Sequence, residues 1–547
     1  MSFPAQTKTE LSRLKDEIKS GAKIISLSGL TSISSKTYVL SQLQVETEKT
    51  FAVVADSNKE IETWECDLNF WQNSVQDLKF KVQSLKDAQI LTLPSSESDV
   101  YAGVSPHAET LEKRALALWT LANSKTNFVV TSAKSLITRT VSPDEVKNLG
   151  ANLKRDVDFA PEKLIEKLLA SGFVREEPLK NIGEFSVRGG IVDVWSPSAE
   201  MPVRIEFFGD TVDSIREFDP ETQLSTEQLK ETSIAPMREF SATAQDFKDW
   251  AFFAREKFAD EKFSRAVLDR TQFADEGESF SGWEFMFPLI SPRTSSIFEY
   301  LKDFVFVIDE PALIELNLSS FYENLDRHFA EITEAGEIGL EPGELFLSIE
   351  QLRDKFEHVQ RVELRSLGRT AAQTDEEFQI SETNAPADTR QIGKAAQNNN
   401  FKNPLFLFST TEKSTEIEIG SRSTRKFHGS IKDFAQQLKQ KNSLAETQSS
   451  TDQKPTADHR PPTTVFVLQT HGLADRLNEI LSEYEISIPA NSLLIGDLSA
   501  GFEIRVFDFS VYTEAEIFGD TREAQSPKSK VQSPKARLRH LSRISEI

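Results

Sequence analysis

The sequence contains a single cysteine, Cys66, so no disulfide bond can form within the chain. Its seven histidines form no close pairs and no Cys-x-x-Cys motif occurs, which argues against a structural zinc site. No apolar run approaches the roughly 18 residues that span a bilayer. The N-terminal sequence MSFPAQTKTE lacks the basic region and apolar stretch of a signal peptide. We therefore expect a cytoplasmic protein with no metal site and no membrane contact.

Basic residues are outnumbered: the chain has 63 Lys and Arg against 86 Asp and Glu, a net charge of −23. This acidity opposes non-specific binding to nucleic acid, so any DNA contact has to be local or made through a partner. The last 27 residues reverse the sign, with seven Lys or Arg against two Glu, and repeat Gln-Ser-Pro-Lys twice. We expect residues 520–547 to form a disordered basic tail that binds DNA weakly at most.

The length and the hydrophobic content together predict several folded domains. The chain has 547 residues and 39 Phe, whereas a single core rarely grows beyond ~250–300 residues. Across residues 1–150, apolar strand-like runs such as Phe51–Ala55 alternate with helical patterns such as Ile61, Trp64 and Leu68. This alternation is typical of an α/β domain in which helices cover a parallel sheet.

The pattern changes after this first domain. Closely spaced strands broken by Gly-Gly and Pro predict a small α+β domain with an antiparallel sheet at 151–238. Residues 239–360 are predicted to be a helical continuation of the first domain, with one strand at Phe304–Ile308. Residues 361–402 are expected to be a linker or a low-complexity insertion.

A further small α/β domain is predicted at 403–519. Its signals are strand-like runs at Leu405–Phe408 and Val465–Leu468 and a helical pattern that follows them. Residues 441–463 are poor in hydrophobic side chains and are expected to be an insertion in this domain.

Residues 183–225 carry a resemblance to a known family. They read GEFSVRGGIVDVWSPSAEMPVRIEFFGDTVDSIREFDPETQLS and resemble the UvrA-interaction domain shared by UvrB and transcription-repair coupling factors. Weaker similarity occurs at Ser281–Pro288 and Phe304–Pro311. Gly496–Phe502 and Tyr512–Gly519 are similar to the third domain of coupling factors, which UvrB lacks.

The resemblance implies a UvrA-docking module that acts in transcription-coupled nucleotide excision repair. Damaged DNA and stalled RNA polymerase would then be indirect partners. In the family the chain continues into a polymerase-binding domain and a translocase motor, and we expect neither in this sequence.

One strand in this segment carries candidate docking residues. Along Pro202–Phe208 a period of two places Arg204 and Phe208 on the face opposite the core. The core face would carry Val203, Ile205 and Phe207. Arg and aromatic side chains are the usual composition of interaction hot spots, although a stray exposed Phe beside a surface ion pair is also common. The resemblance assigns UvrA contact to Arg188, Arg204 and Phe208, and we expect loss of Arg204 or Phe208 to leave folding nearly unaffected.

The loop after the first strand, SGLTSISSKT at residues 28–37, is where a phosphate-binding loop would lie. Such a loop needs Gly-x₄-Gly-Lys-Ser/Thr, because glycines let backbone amides approach the phosphate. Lys36 is present, but Leu30 and Ser35 occupy the two glycine positions. The decayed loop resembles that of coupling factors rather than the complete loop of UvrB. We expect a degenerate P-loop domain with no cofactor and no enzymatic activity.

Three hypotheses follow from the sequence. The first is a non-catalytic binding module for UvrA. The second is a fragment of a UvrB-like ATP-dependent DNA helicase, which the altered loop and the missing second motor domain oppose. The third is a truncated decoy or regulator that occupies UvrA unproductively. The first and third use the same surface, so the sequence does not separate them.

Overall fold

A computed structural model describes residues 7–77, 90–366, 415–449, 463–489 and 492–519. The strands of these residues form four sheets. In chain order the strands are β1 (Ile24–Ser28), β2 (Thr50–Ala55), β3 (Ile90–Leu93), β4 (Phe128–Ser132), β5 (Ala151–Lys154), β6 (Val174–Arg175), β7 (Glu184–Arg188), β8 (Ile191–Val194), β9 (Val203–Phe208), β10 (Thr211–Phe218), β11 (Ser225–Leu229), β12 (Glu231–Ile234), β13 (Phe304–Asp309), β14 (Arg361–Arg365), β15 (Thr415–Glu418), β16 (Ser421–Ser423), β17 (Thr463–Leu468), β18 (Leu493–Ile495), β19 (Phe502–Ile504) and β20 (Phe509–Thr513).

The helices of the described residues cover these sheets. In chain order they are α1 (Thr7–Ser20), α2 (Ile33–Thr47), α3 (Asn58–Asp77), α4 (Ala108–Asn123), α5 (Ala133–Ile137), α6 (Pro143–Leu149), α7 (Pro161–Ala170), α8 (Ala244–Lys257), α9 (Ser264–Ala274), α10 (Trp283–Met286), α11 (Ile297–Tyr300), α12 (Pro311–Glu334), α13 (Pro342–Leu345), α14 (Ile349–Glu357), α15 (Ile431–Ser449), α16 (His471–Glu483) and α17 (Glu514–Phe518). No helix in this part of the chain has both the length and the apolar character needed to cross a bilayer.

The largest sheet is parallel throughout and has the strand order β15-β1-β14-β13-β2-β4-β3. Its central strands are buried on both faces by helices, and their sequences are therefore nearly continuous apolar runs. The predicted strands at Phe51–Ala55 and Phe304–Ile308 are confirmed. The predicted multidomain α/β class with a large parallel sheet is confirmed as well.

The linker predicted at 361–402 was placed too early, because Arg361–Arg365 forms the buried strand β14 between β1 and β13. Val362 and Leu364 enter the core. The other face carries charges that pair with one another: Arg361 Nε lies 2.9 Å from Glu363 Oε1, and Arg365 Nη2 lies 2.7 Å from Glu363 Oε2. These internal ion pairs let a charged sequence occupy the centre of a sheet.

Two boundaries of the predicted domain at 403–519 also differ. Thr415–Glu418 pairs with β1 and extends the first sheet rather than a separate one. The helix Ile431–Ser449 continues into the insertion expected at 441–463. The strand predicted at Leu405–Phe408 and the basic tail lie outside the described residues. The division of the chain into independently folding domains stays a prediction.

The first and last sheets share one hydrophobic core. The last sheet is mixed, with the order β16-β19-β20-β17-β18, and one of its faces packs against α2 and α3. The Tyr38 ring on α2 stacks on Phe509 with centroids 4.7 Å apart, and it meets Trp71 of α3 edge-on at 4.9 Å. Phe502, in the segment similar to coupling factors, joins the same cluster at 5.9 Å from Tyr38.

The six-stranded sheet, whose strands lie between β5 and β12 in the sequence, carries the candidate docking residues. Its order is β11-β10-β9-β8-β7-β6, and all neighbours are antiparallel except β6 and β7. The helix α7 buries Leu164 and Leu168 in the same apolar cluster as Val203 and Ile205, so one face of this sheet is the core side. The opposite face carries the candidates.

Candidate functional site

Two hairpin turns place Arg188 and Phe208 at the same end of the sheet. Arg188 pairs with Ile191 across the turn Gly189-Gly190, and Phe208 pairs with Thr211 across the turn after β9. Gly189 has a φ of +60°, a conformation that glycine adopts without strain. The amide of Phe207 donates to the carbonyl of Gly190 at 2.8 Å, which ties the two hairpins together.

Phe208 is the most exposed large hydrophobic side chain in the described part of the chain, with 84% of its surface accessible. Its neighbours along β9 follow the predicted alternation: Val203 and Ile205 are buried, and Phe207 is half-buried. An exposed aromatic ring on a short strand end contributes nothing to the core. It is therefore available to a partner.

Arg204 does not point freely into solvent, which contradicts the premise on which its loss was expected to leave folding nearly unaffected. Its side chain is 17% exposed and forms two hydrogen bonds to Asp193, from Nε to Oδ1 at 2.8 Å and from Nη2 to Oδ2 at 2.9 Å. The guanidinium carbon also lies 4.6 Å from the centre of the buried Phe218 ring. The hydrogen bonds that Arg204 donates to Asp193 raise the pKa of Arg204 above its ordinary value.

Asp193 joins the two candidate arginines and was missed by the sequence analysis. Its carboxylate is 1% exposed and also accepts a hydrogen bond from Arg188 Nη2 at 2.8 Å. The strand β8, which lies between the strands of the two arginines, places Asp193 directly opposite Arg204. The one signal in the sequence was a lone Asp in the apolar run Ile191–Trp195, where an unpaired carboxylate would be costly.

A second charged pair lies further along the same face. Glu206 forms an ion pair with Arg216 on β10 and accepts a hydrogen bond from Ser214 at 2.8 Å. Both members of this pair are about one-third exposed. The face that carries Phe208 therefore carries three arginines, and each of them pairs with a carboxylate of the same sheet.

The altered phosphate loop lies far from this sheet in sequence and carries its own buried ion pair. Lys36 Nζ is 2.5 Å from Asp309 Oδ1 and 3.0 Å from Glu310 Oε1, and Lys36 and Asp309 are almost completely buried. Burial disfavours the charged ammonium, but the two carboxylates outweigh this effect and hold the pKa of Lys36 above its ordinary value. Glu310 also accepts a hydrogen bond from the amide of Ser366 at 3.0 Å.

Two backbone amides of this loop, those of Thr31 and Ser35, also have partners within the chain. The amide of Ser35 donates to Ser32 Oγ at 3.2 Å as part of a capping box at the start of α2. The amide of Thr31 donates to Ser421 Oγ at 2.9 Å, and the Ser421 hydroxyl lies 3.1 Å from that of Ser35. A Cβ on Gly29 would lie 2.9 Å from the carbonyl oxygen of Ile419, so the segment before β16 packs directly on the loop.

The sheet that carries Phe208 lies in a segment that is similar to a known class of domain: residues 151–240 match the family described as the UvrB interaction domain. This range agrees with the α+β domain predicted at 151–238, and it contains residues 183–225, whose sequence resembles a UvrA-interaction domain. The exposed Phe208 and the Arg188–Asp193–Arg204 network lie inside the match.

Similarity to transcription-repair-coupling factors extends over more of the chain. The Myxococcus xanthus factor is 28% identical over 379 residues, which cover 66% of this chain and 30% of that protein. The Bacillus subtilis factor is 24% identical over 513 residues, which cover 88% of this chain and 38% of that protein. The Rickettsia bellii factor is 30% identical over 264 residues, which cover 46% of this chain and 23% of that protein. The predicted resemblance is confirmed, and the chain spans well under half the length of these relatives.

Proposed function

We propose that this chain is a non-catalytic docking module for UvrA in transcription-coupled nucleotide excision repair. The observation that carries the proposal is Phe208, which is highly exposed at the end of a UvrB interaction domain, with Arg188 at the same end of the sheet. An exposed aromatic ring together with arginine is the composition of an interaction hot spot. Damaged DNA and stalled RNA polymerase are indirect partners in this proposal, and the cytoplasm is the location.

The absence of nucleotide chemistry is part of the same proposal. Three features support it. Lys36 forms ion pairs with Asp309 and Glu310. The amide of Ser35 donates to the side chain of Ser32, and the amide of Thr31 donates to the side chain of Ser421. A phosphate would have to displace all of these contacts, and bulkier residues replace both glycines that would bring the backbone close to it. The alternative of a UvrB-like helicase fragment is therefore disfavoured.

Binding of purified UvrA to the full chain tests the proposal. Phe208→Ala should weaken the complex by roughly 30- to 1,000-fold, because hot-spot residues typically contribute ~2–4 kcal/mol and ~1.4 kcal/mol is tenfold. Phe252→Ala is the matched control, since Phe252 is 65% exposed on α8 outside the docking sheet. Isothermal titration measures both variants, and equal affinities for the parent chain and Phe208→Ala would refute the docking assignment.

The decoy hypothesis predicts the same complex and differs only in its consequence. A coupling module should increase repair of transcribed DNA by UvrA, whereas a decoy should reduce it. Adding the full chain to a reconstituted excision-repair reaction with a stalled polymerase separates the two.

A further inference from the structure

Asp193 lies beneath the proposed docking surface and has contacts with both candidate arginines. Its carboxylate is almost inaccessible, yet it accepts one hydrogen bond from Arg188 and two from Arg204. Its direct neighbours on β8, Val192 and Val194, enter the apolar core on the opposite face. Two arginines therefore share one buried counter-charge, and the group of three retains a net positive charge.

The two arginines differ in how many hydrogen-bond donors remain available to a partner. Arg204 directs Nε and Nη2 at Asp193, and its Nη1 lies 3.5 Å from the carbonyl oxygen of Gln223. Its guanidinium plane also rests over the buried ring of Phe218. The hydrogen-bonding groups of Arg204 are thus directed into this domain.

Arg188 directs fewer of its donors into the domain than Arg204 does. It gives one hydrogen bond to Asp193 through Nη2, and its remaining close contact is an exposed Glu177 carboxylate 3.6 Å from Nε. Its side chain is 47% exposed. An arginine has five N–H donors in a fixed planar fork, so several of those of Arg188 face solvent.

We infer that Asp193 is a positioning residue for docking: it holds Arg204 within the sheet and fixes the guanidinium of Arg188 so that its free donors face the partner. The inference rests on the proposed function. It assigns direct contact to Arg188 and Phe208 and gives Arg204 an indirect role. The surface that fits them offers an apolar recess for the ring and a carboxylate for the guanidinium, since charge-assisted hydrogen bonds from arginine to a carboxylate are among the strong ones.

Positioning matters because a free arginine has many rotamers. An Arg188 side chain held in one orientation loses less conformational entropy on binding than a mobile one, and the gain appears as a slower dissociation rate. Asp193→Asn removes the charge that anchors both guanidinium groups while retaining nearly the same shape. It should therefore accelerate dissociation from the partner rather than merely reduce the amount of active protein.

Surface plasmon resonance with the full chain and immobilised UvrA provides this measurement. Asp193→Asn should increase the dissociation rate constant by about 10- to 100-fold, the range expected for a lost hydrogen bond to a charged group. Asp275→Asn is the matched control, because Asp275 also accepts two hydrogen bonds from one arginine, Arg255, but lies outside the docking domain. If Asp193→Asn reduces only the active fraction and leaves the dissociation rate unchanged, Asp193 has a structural role alone and the inference is overturned.

Arg188→Lys and Arg188→Ala leave the buried carboxylate of Asp193 intact, so they test the inference even if Asp193→Asn does not fold. Arg188→Lys keeps the positive charge but loses the planar fork that Asp193 orients. Its affinity for UvrA should therefore be almost as low as that of Arg188→Ala. Recovery of parental affinity to within about twofold by Arg188→Lys would show that charge alone suffices, and would overturn the inference.

The combined variant Arg188→Ala/Asp193→Asn tests whether the two residues act together. Residues that act through one another are non-additive, so the double variant should dissociate no more than about threefold faster than Arg188→Ala. Full additivity would overturn the inference. If Phe208→Ala also binds like the parent chain, the docking function fails; if Phe208→Ala loses binding while Asp193→Asn does not, only the role of Asp193 fails.

Discussion

Lys36 Nζ and Asp309 Oδ1 are 2.5 Å apart in a site that excludes solvent almost completely, although 273 positions separate the two residues in the chain. One belongs to the helix after the altered phosphate loop and the other ends β13. In this arrangement the lysine that a phosphate loop would use for its ligand instead joins two elements of the fold.

We expect the chain to bind no ATP measurably and to hydrolyse none, with or without DNA. The physical reason is that Lys36 and the amides of Thr31 and Ser35 already have partners within the chain. Isothermal titration with ATP tests this. Tight ATP binding that is lost on Lys36→Ala would contradict it.

Lys36→Ala should instead lower stability. Removal of one partner from a buried ion pair leaves an uncompensated charge and typically costs ~3–5 kcal/mol. Chemical denaturation of the parent and variant chains measures this cost. A free energy of unfolding within about 0.5 kcal/mol of the parent, the range of ordinary surface substitutions, would show that the pair does not stabilise the fold.

Arg204→Ala and Phe208→Ala should differ in their effect on folding. Loss of Arg204 leaves the buried Asp193 with Arg188 as its remaining arginine partner, so the free energy of unfolding should fall by about 2–4 kcal/mol. Loss of the exposed Phe208 should change it by less than about 0.5 kcal/mol. Thermal and urea denaturation distinguish the two, and equal stabilities would contradict the role assigned to Asp193.

Val203→Ala provides the opposite control on the same strand. Val203 is buried on the core face, so its truncation should lower stability by roughly 1–3 kcal/mol through lost burial. Binding of UvrA by the folded fraction should persist. A large loss of affinity in the folded fraction would show that the docking surface has been assigned to the wrong face of the sheet.

Asp67 on α3 predicts a pH dependence of stability. Burial raises the pKa of its carboxyl to about 6, although Ser499 donates to it from its amide at 2.8 Å and from its hydroxyl at 2.6 Å. The folded chain therefore binds this proton more tightly than the unfolded chain does. The contribution of Asp67 to stability is greatest below about pH 4 and falls by roughly 3 kcal/mol as the pH rises through about 6.

Asp67→Asn imitates the protonated carboxyl and should remove this part of the pH dependence. At about pH 8 the variant should be more stable than the parent, and at about pH 4 the difference should vanish. Urea denaturation at the two pH values provides the comparison. Lower stability of the variant at both values would show that Ser499 needs a charged partner.

Direct DNA binding should be weak and should depend on the basic tail. The full chain and a 1–519 truncation are compared on duplex DNA at ~50 and ~200 mM salt, because phosphate contacts weaken steeply with salt. We expect the truncation to lose most of the binding. Tight binding that is insensitive to salt and survives the truncation would contradict this prediction.

The amino-acid sequence alone determined several features, and each depends on local information. The alternation along Pro202–Phe208 assigned Val203 and Ile205 to the core and left Phe208 outside, because side chains of a strand point to opposite faces in turn. The strands at Phe51–Ala55 and Phe304–Ile308 were equally visible as short apolar runs. The presence of Leu30 and Ser35 at the two glycine positions of a phosphate loop was evident without a structure.

Tertiary structure decided what depends on residues distant in the chain. The role of Asp193 follows from the register of β7, β8 and β9, and a shift of one residue would turn it into the apolar core. Arg361–Arg365 was assigned to a linker, and only the structure shows that its charged side chains pair with one another within a central strand. Ser421 and Ser35 are in contact although 386 positions separate them. Such a contact leaves no periodic pattern in the sequence, because it forms only when the strand that carries Ser421 packs against α2.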